Sequence, residues 1–133
     1  MSLAVVDASV LVAFYLSDDR RRGDVVHRLA AGDALYAPEH LDAEVISALR
    51  GLARVKPAVE PTVPAALRHL AGFPVRRMPL APHLERMWEL RANVTAYDAA
   101  YVALAEQLSS PVITCDAKLA AASGTRCTFD LII

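Results

Sequence analysis

Short apolar runs alternate along this chain with longer stretches in which apolar positions recur every three or four residues. Leu3-Ala4-Val5-Val6 is the first such run; it stops at Asp7 and predicts a buried strand. Residues 9–16 then predict a short apolar helix, and Asp18-Asp19 a cap for a second helix reaching about residue 31 and closed by Gly32. Leu35-Tyr36-Ala37 predicts a second strand, ended by Pro38. From 39 to about 55 the period is helical, with Leu41, Val45, Ala48, Leu49 and Leu52 on one face and Ala43, Ser47, Arg50 and Arg54 on the other. Pro57, Pro61 and Pro64 predict an irregular connection, after which Pro64 opens a helix to about Leu70. Val75 to Met78 is a third strand, 82–91 and 95–108 are helices, and Val112-Ile113-Thr114-Cys115 is a fourth strand ending at Asp116. A short helix over 117–122 and a strand over 128–132 complete the chain.

Strands that alternate with helices predict an α/β domain with a mainly parallel sheet. A length of 133 residues suits one domain, 1–133, with a substantial core, and no repeat or linker interrupts it. The apolar run 8–16 is too short to span a bilayer, and no cleavage pattern follows it. Cys115 and Cys127 form no CxxC pair and suit small buried positions in a reducing compartment, so a soluble cytoplasmic protein is expected. The net charge of -1 lacks the basic excess common in nucleic-acid binders. Affinity for a polyanion would then need a local arginine cluster or bound cations.

Open α/β sheets bind ligands outside the carboxyl ends of their strands. Two of those ends, after Val6 and after Cys115, carry an aspartate. Asp7 lies between apolar residues, where an unpaired carboxylate is costly to bury; as an alternative it caps the helix that follows. Asp116 has the same grammar and the same alternative. Asp98 stands three residues after Thr95, as in a capping box, yet borders the apolar positions Tyr101, Val102 and Ala105. Glu44 borders the apolar stripe of its helix rather than the Arg50 and Arg54 side, although a long acid can reach out to solvent. Four acids beside apolar surface repel one another unless a cation neutralises them, and hard oxygen donors favour Mg²⁺ or Mn²⁺.

Other chemistries find less support. His27, His40, His69 and His83 lack zinc-site spacing, and the glycines form neither GxGxxG nor a P-loop. No GxSxG elbow is present. Arg20-Arg21-Arg22 could contact phosphates, but such a run predicts a solvated helix face first.

Four segments together resemble the PIN-domain nucleases, and among them the VapC-type toxins of toxin–antitoxin pairs. They are Val5-Val6-Asp7-Ala8-Ser9-Val10-Leu11, Ala43-Glu44-Val45 with Ala48-Leu49-Arg50, the run from Thr95 through Asp98 to Ala105, and Val112-Ile113-Thr114-Cys115-Asp116-Ala117-Lys118-Leu119. The resemblance implies a three-layer α/β/α sandwich on a five-stranded, mostly parallel sheet of order 3-2-1-4-5. It implies endonucleolytic RNA cleavage with Mg²⁺ or Mn²⁺, with Asp7, Glu44, Asp98 and Asp116 as the catalytic and metal-binding acids. Ser9 and Thr114 match hydroxyls that hydrogen-bond those carboxylates. Implied partners are an RNA substrate, a small VapB-type antitoxin that blocks the groove, and a second copy of the chain. The three prolines between Lys56 and Pro64 imply a shortened helical clip there.

A phosphoacceptor domain would need an acidic pair after its first strand and a lysine ending a late one; Asp7 stands alone and Lys118 follows an acid. A silent binding module would have lost an acid. A structure-specific DNA nuclease, or an RNA-processing enzyme without a toxin role, is the alternative within the nuclease class. The extra helices with which such DNA enzymes grip a duplex have little room in this length.

Overall fold

The computed structural model describes residues 2–133. Its strands are β1 (Leu3–Val6), β2 (Ala34–Pro38), β3 (Val75–Met78), β4 (Val112–Thr114) and β5 (Phe129–Leu131). They form one sheet in the order β3-β2-β1-β4-β5, and every neighbouring pair is parallel. Parallel neighbours cannot be joined by tight hairpins, so each step along the sheet needs a crossover, which the helices supply. These are α1 (Ala8–Tyr15), α2 (Arg22–Leu29), α3 (Leu41–Val55), α4 (Val63–Ala71), α5 (Leu84–Glu89), α6 (Ala96–Leu108) and α7 (Ala117–Ala120). They cover both faces of the sheet, as the three-layer expectation required. No described helix is long and apolar enough to cross a membrane.

Burial on both faces explains why the central strands are apolar throughout rather than alternating. Ala4, Val5 and Val6 of β1 and Val112 and Ile113 of β4 are fully buried. Helix α6 packs on β1, β2 and β4 with one side and on α5 with another. Its residues Ala99 through Ala105 are all buried. Four alanines in that stretch let the backbone approach the sheet closely, and this helix has no wide polar face to solvate.

Two local expectations are corrected. Asp18-Asp19 does not cap the second helix, which begins at Arg22. The Asp19 carboxylate instead turns onto Arg21, accepting its backbone N–H at 2.8 Å and its guanidinium at 3.0 and 2.9 Å. The proline-rich connection is not irregular: Pro57–Thr62 winds as a 3₁₀ helix that runs into α4. Prolines near the start of a helical turn lack only N–H groups that would be unpaired there. Helical turns therefore join α3 to α4.

Chain order reverses about the β1–β4 pair: from β1 the chain builds outwards through β2 to β3, and returns to add β4 and β5 on the other side. This is the switch point at which such sheets bind ligands, and it lies where Asp7 follows β1. Leu104 is fully buried on α6 within the main core. Leu104→Ala should destabilise the fold by about 2–5 kcal/mol, read as a lower urea midpoint at unchanged slope.

Candidate active site

Asp7, Glu44, Asp98 and Asp116 line one open cleft of about 310 Å³ at the carboxyl ends of β1 and β4. They come from four separate places: the β1–α1 junction, α3, the first turn of α6, and the residue capping α7. The sequence-predicted acids are thus brought together.

Asp7 is the most enclosed of them, at 6% exposure. It occupies the N-cap position of α1, but its side chain makes no cap hydrogen bond. The Ser9 hydroxyl donates to its Oδ2 at 2.6 Å, and the Thr114 hydroxyl to the same oxygen at 2.9 Å. Each hydroxyl is itself fixed from behind: Ser9 Oγ accepts from the Cys115 N–H at 3.0 Å, and Thr114 Oγ1 from the Asp116 N–H at 2.9 Å. With both hydroxyl hydrogens directed at Asp7, the 3.4 Å separation of Ser9 Oγ and Thr114 Oγ1 is a contact rather than a bond. Among the described residues Asp7 Oδ1 accepts nothing and is left for the cleft.

Capping and site membership are not exclusive for the other aspartates. Asp116 Oδ1 accepts from the N–H groups of Lys118 and Leu119 at 2.9 and 3.2 Å, a true N-cap, and its second oxygen remains unengaged among the described residues. Thr95 caps α6 by accepting the Asp98 N–H at 3.2 Å, which sets the carboxylate of Asp98 over the cleft. Glu44 is held through Oε1, to which the Tyr101 hydroxyl donates at 2.6 Å and from which His40 Nε2 lies 3.2 Å away.

Electrostatics separate the four. Burial raises Asp7 above the ordinary carboxylate range against the hydrogen bonds of Ser9 and Thr114, with Glu44 and Asp116 adding to the rise. Burial, and then the charges of Asp7, Asp116 and Glu44, push Asp98 up to about 6. Glu44 goes the other way: burial would raise it, but the hydrogen bonds from His40 and Tyr101 hold it below its usual value. The cluster therefore carries uncompensated repulsion centred on Asp98 and Asp7.

Tyr101, His40 and Arg21 were not among the predicted site residues. Tyr101 lay in plain view three residues after Asp98, but its apolar ring read as core, which it also is. His40 and Glu44 share helical i, i+4 spacing, a signal that could have paired them. Arg21 lines the cleft, so the arginine run is not a plain solvated helix face. Arg22 likewise donates to the Phe14 carbonyl at 2.8 Å and covers that ring.

Among the described residues no three His, Cys, Asp or Glu side chains enclose a metal ion by themselves. Mg²⁺ and Mn²⁺ keep several waters and use few protein carboxylates, so a site for either does not require such a group. Free oxygens on Asp7 and Asp116 and the raised Asp98 are the groups a divalent cation would relieve.

The raised acids make the metal-free protein sensitive to pH. Asp98 keeps a proton in the folded state that the unfolded chain has already released, so its contribution is full in acid and fades as pH rises through about 6, and the raised Asp7 acts in the same direction. In EDTA, melting of Asp98→Asn should gain on the wild type between about pH 4.5 and about pH 7.5. A constant gap across that range would contradict the raised value.

Comparison with known proteins matches this geometry to a family. The PIN domain matches residues 4–124. Ribonuclease VapC12 of Mycobacterium tuberculosis is 37% identical over 130 residues, covering 98% of this chain and 99% of the relative. The crystal structure of M. tuberculosis VapC20, described as a sarcin–ricin loop cleaving toxin, superposes with a TM-score of 0.70 at 20% identity over 92% of this chain and 95% of that one. VapBC2 of Rickettsia felis, bound to a DNA fragment from its promoter, gives a TM-score of 0.66 at 11% identity over 98% of this chain and 99% of that one. With a family match over residues 4–124 and a near full-length relative in agreement, the chain belongs to the PIN-domain family, among its VapC-type ribonucleases.

Proposed function

We propose that the four acids are the catalytic centre of a Mg²⁺- or Mn²⁺-dependent endoribonuclease that acts as the toxin of a toxin–antitoxin pair. The observation that carries this is the convergence of four carboxylates from separate elements in one cleft, with Asp98 raised to about 6 by burial and its acidic neighbours. A divalent cation in this cleft would neutralise that charge, acidify a water and stabilise the phosphoryl transition state.

The chain's own residues perform the rest. Ser9 and Thr114 fix Asp7 by one oxygen and leave the other facing the cleft. The cap at Asp116 does the same, with one oxygen on α7. Glu44, kept ionised by Tyr101 and His40, supplies negative charge at the cleft that a bound cation would offset. Asp98, pushed up by burial and its acidic neighbours, would be relieved by cation binding. Arg21, anchored on Asp19, is the cation at the rim and can meet a phosphate oxygen.

A small VapB-type antitoxin is the proposed partner, supported by the VapBC2 likeness and by a cleft whose charge suits a basic side chain. Pairing of two copies is proposed with it.

Purified protein freed of any partner should cleave RNA with Mg²⁺ or Mn²⁺ and stop in EDTA. Asp7→Asn should lower turnover at least about 100-fold while melting no earlier than the wild type, since it removes a buried charge. Unchanged cleavage in EDTA, or a variant at the wild-type rate, would refute the site.

A further inference from the structure

Beside the acid cleft lies a second, larger hollow of about 560 Å³, within the range of roughly 300–1,000 Å³ usual for small-ligand sites. Its walls are His40, Ala43, Ser47 and Tyr97, and it shares Glu44 and Ala48 with the acid cleft. The two hollows therefore adjoin along one stretch of α3. Tyr97 immediately precedes Asp98, so its ring stands one residue from an acid of the proposed centre.

Tyr97 is 65% exposed, so much of it is open to solvent beside the acid cleft. His40 stands behind it. The Tyr97 carbonyl lies 3.1 Å from His40 Nε2, and the His40 ring stands 6.0 Å from the tyrosine ring. His40 is in turn packed edge-on against the fully buried Tyr101 at 5.2 Å. An exposed aromatic face backed by an ordered histidine is a stacking platform that needs little rearrangement to bind.

Charge decides what it would stack. The walls of this hollow carry no lysine or arginine; its one basic group, His40, is turned onto Glu44 at 3.2 Å and is not free for a phosphate. A second phosphate would be repelled there, whereas a flat neutral ring would not. Ala43, Ser47 and Ala48 offer a shallow floor with room for such a ring and one hydroxyl to hydrogen-bond its edge. Single-stranded RNA presents such a ring a few bonds from each phosphate, and its unpaired bases are commonly read by stacking on aromatic side chains.

We infer that the hollow between α3 and Tyr97 seats the nucleobase adjoining the cleaved phosphate, stacked on the Tyr97 ring, and so contributes to the choice of cleavage site. This rests on the reading of the acid cleft as an RNA-cleaving centre. It assigns Tyr97 a binding role separate from the chemistry, so its loss should weaken substrate binding and leave turnover largely alone.

The test uses the partner-free protein and single-stranded RNA oligonucleotides that vary at the base flanking the cleavage site. Tyr97→Ala should raise KM about ten-fold or more, within the usual range for one stacked base, with kcat little changed and discrimination among flanking bases reduced. Tyr97→Phe and Tyr97→Trp should restore both. A second arm needs no cleavage: RNA carrying 2-aminopurine at that base should be quenched on binding to Asp7→Asn, and less so when Tyr97→Ala is added. If the wild type cleaves and Tyr97→Ala leaves KM, base discrimination and quenching unchanged, the base seat is wrong and the nuclease reading stands. That result would leave the hollow to a protein partner. If the wild type does not cleave and 2-aminopurine is not quenched, both readings fall.

Discussion

The buried carboxylate of Asp7 is the constraint around which this molecule is arranged. A carboxylate at 6% exposure, at the end of a strand buried on both faces, is costly unless its oxygens are supplied with donors. The chain supplies them from two neighbouring strand ends, Ser9 after β1 and Thr114 at the end of β4. Because each hydroxyl also accepts a backbone N–H from the segment after β4, the same bonds that hold Asp7 also join the β1–α1 and β4–α7 junctions. The switch point of the sheet is thereby fixed together with the site it carries, and misalignment of β1 against β4 would break both the Thr114–Asp7 and the Cys115–Ser9 bonds.

Each remaining acid is presented by a device that leaves part of it free. Asp116 spends one oxygen on its helix cap, Glu44 one oxygen on Tyr101 and His40, and Asp98 is lifted into place by the Thr95 cap. These are ordinary structural bonds, which is why capping competed with ligation in the sequence and why the two turn out to coexist. Their combined effect is to gather negative charge without enough cationic neighbours, since Arg21 is already paired with Asp19. A divalent cation relieves such a cluster, and a modest net charge of -1 is then no obstacle to binding a polyanion.

The division between the two hollows follows the same economy of placement. The charged one, at the strand ends, suits a phosphate with its counter-ions; the neighbouring one, floored by small residues of α3 and flanked by Tyr97, suits an uncharged ring. Glu44 and Ala48 belong to both because α3 runs past the switch point, so one helix face lines both hollows.

Strand and helix order, the parallel sheet and the four acids were legible in the sequence, because apolar runs stopped by aspartates and a steady helical period are local signals. Even so, residues alone argued only for a metal-binding crevice, and the expectation of a ribonuclease came from resemblance in four segments. Local signals failed where a nearby partner competed with them. Asp19 turned to Arg21 instead of capping α2, and the proline-rich stretch after Lys56 wound into a 3₁₀ helix. What only tertiary structure decided is the company each acid keeps. Tyr101 and His40 on Glu44, Thr114 on Asp7 and Tyr97 beside the cleft are set by packing between elements far apart in the chain. A pairing over 57 or 107 residues leaves no periodicity to read.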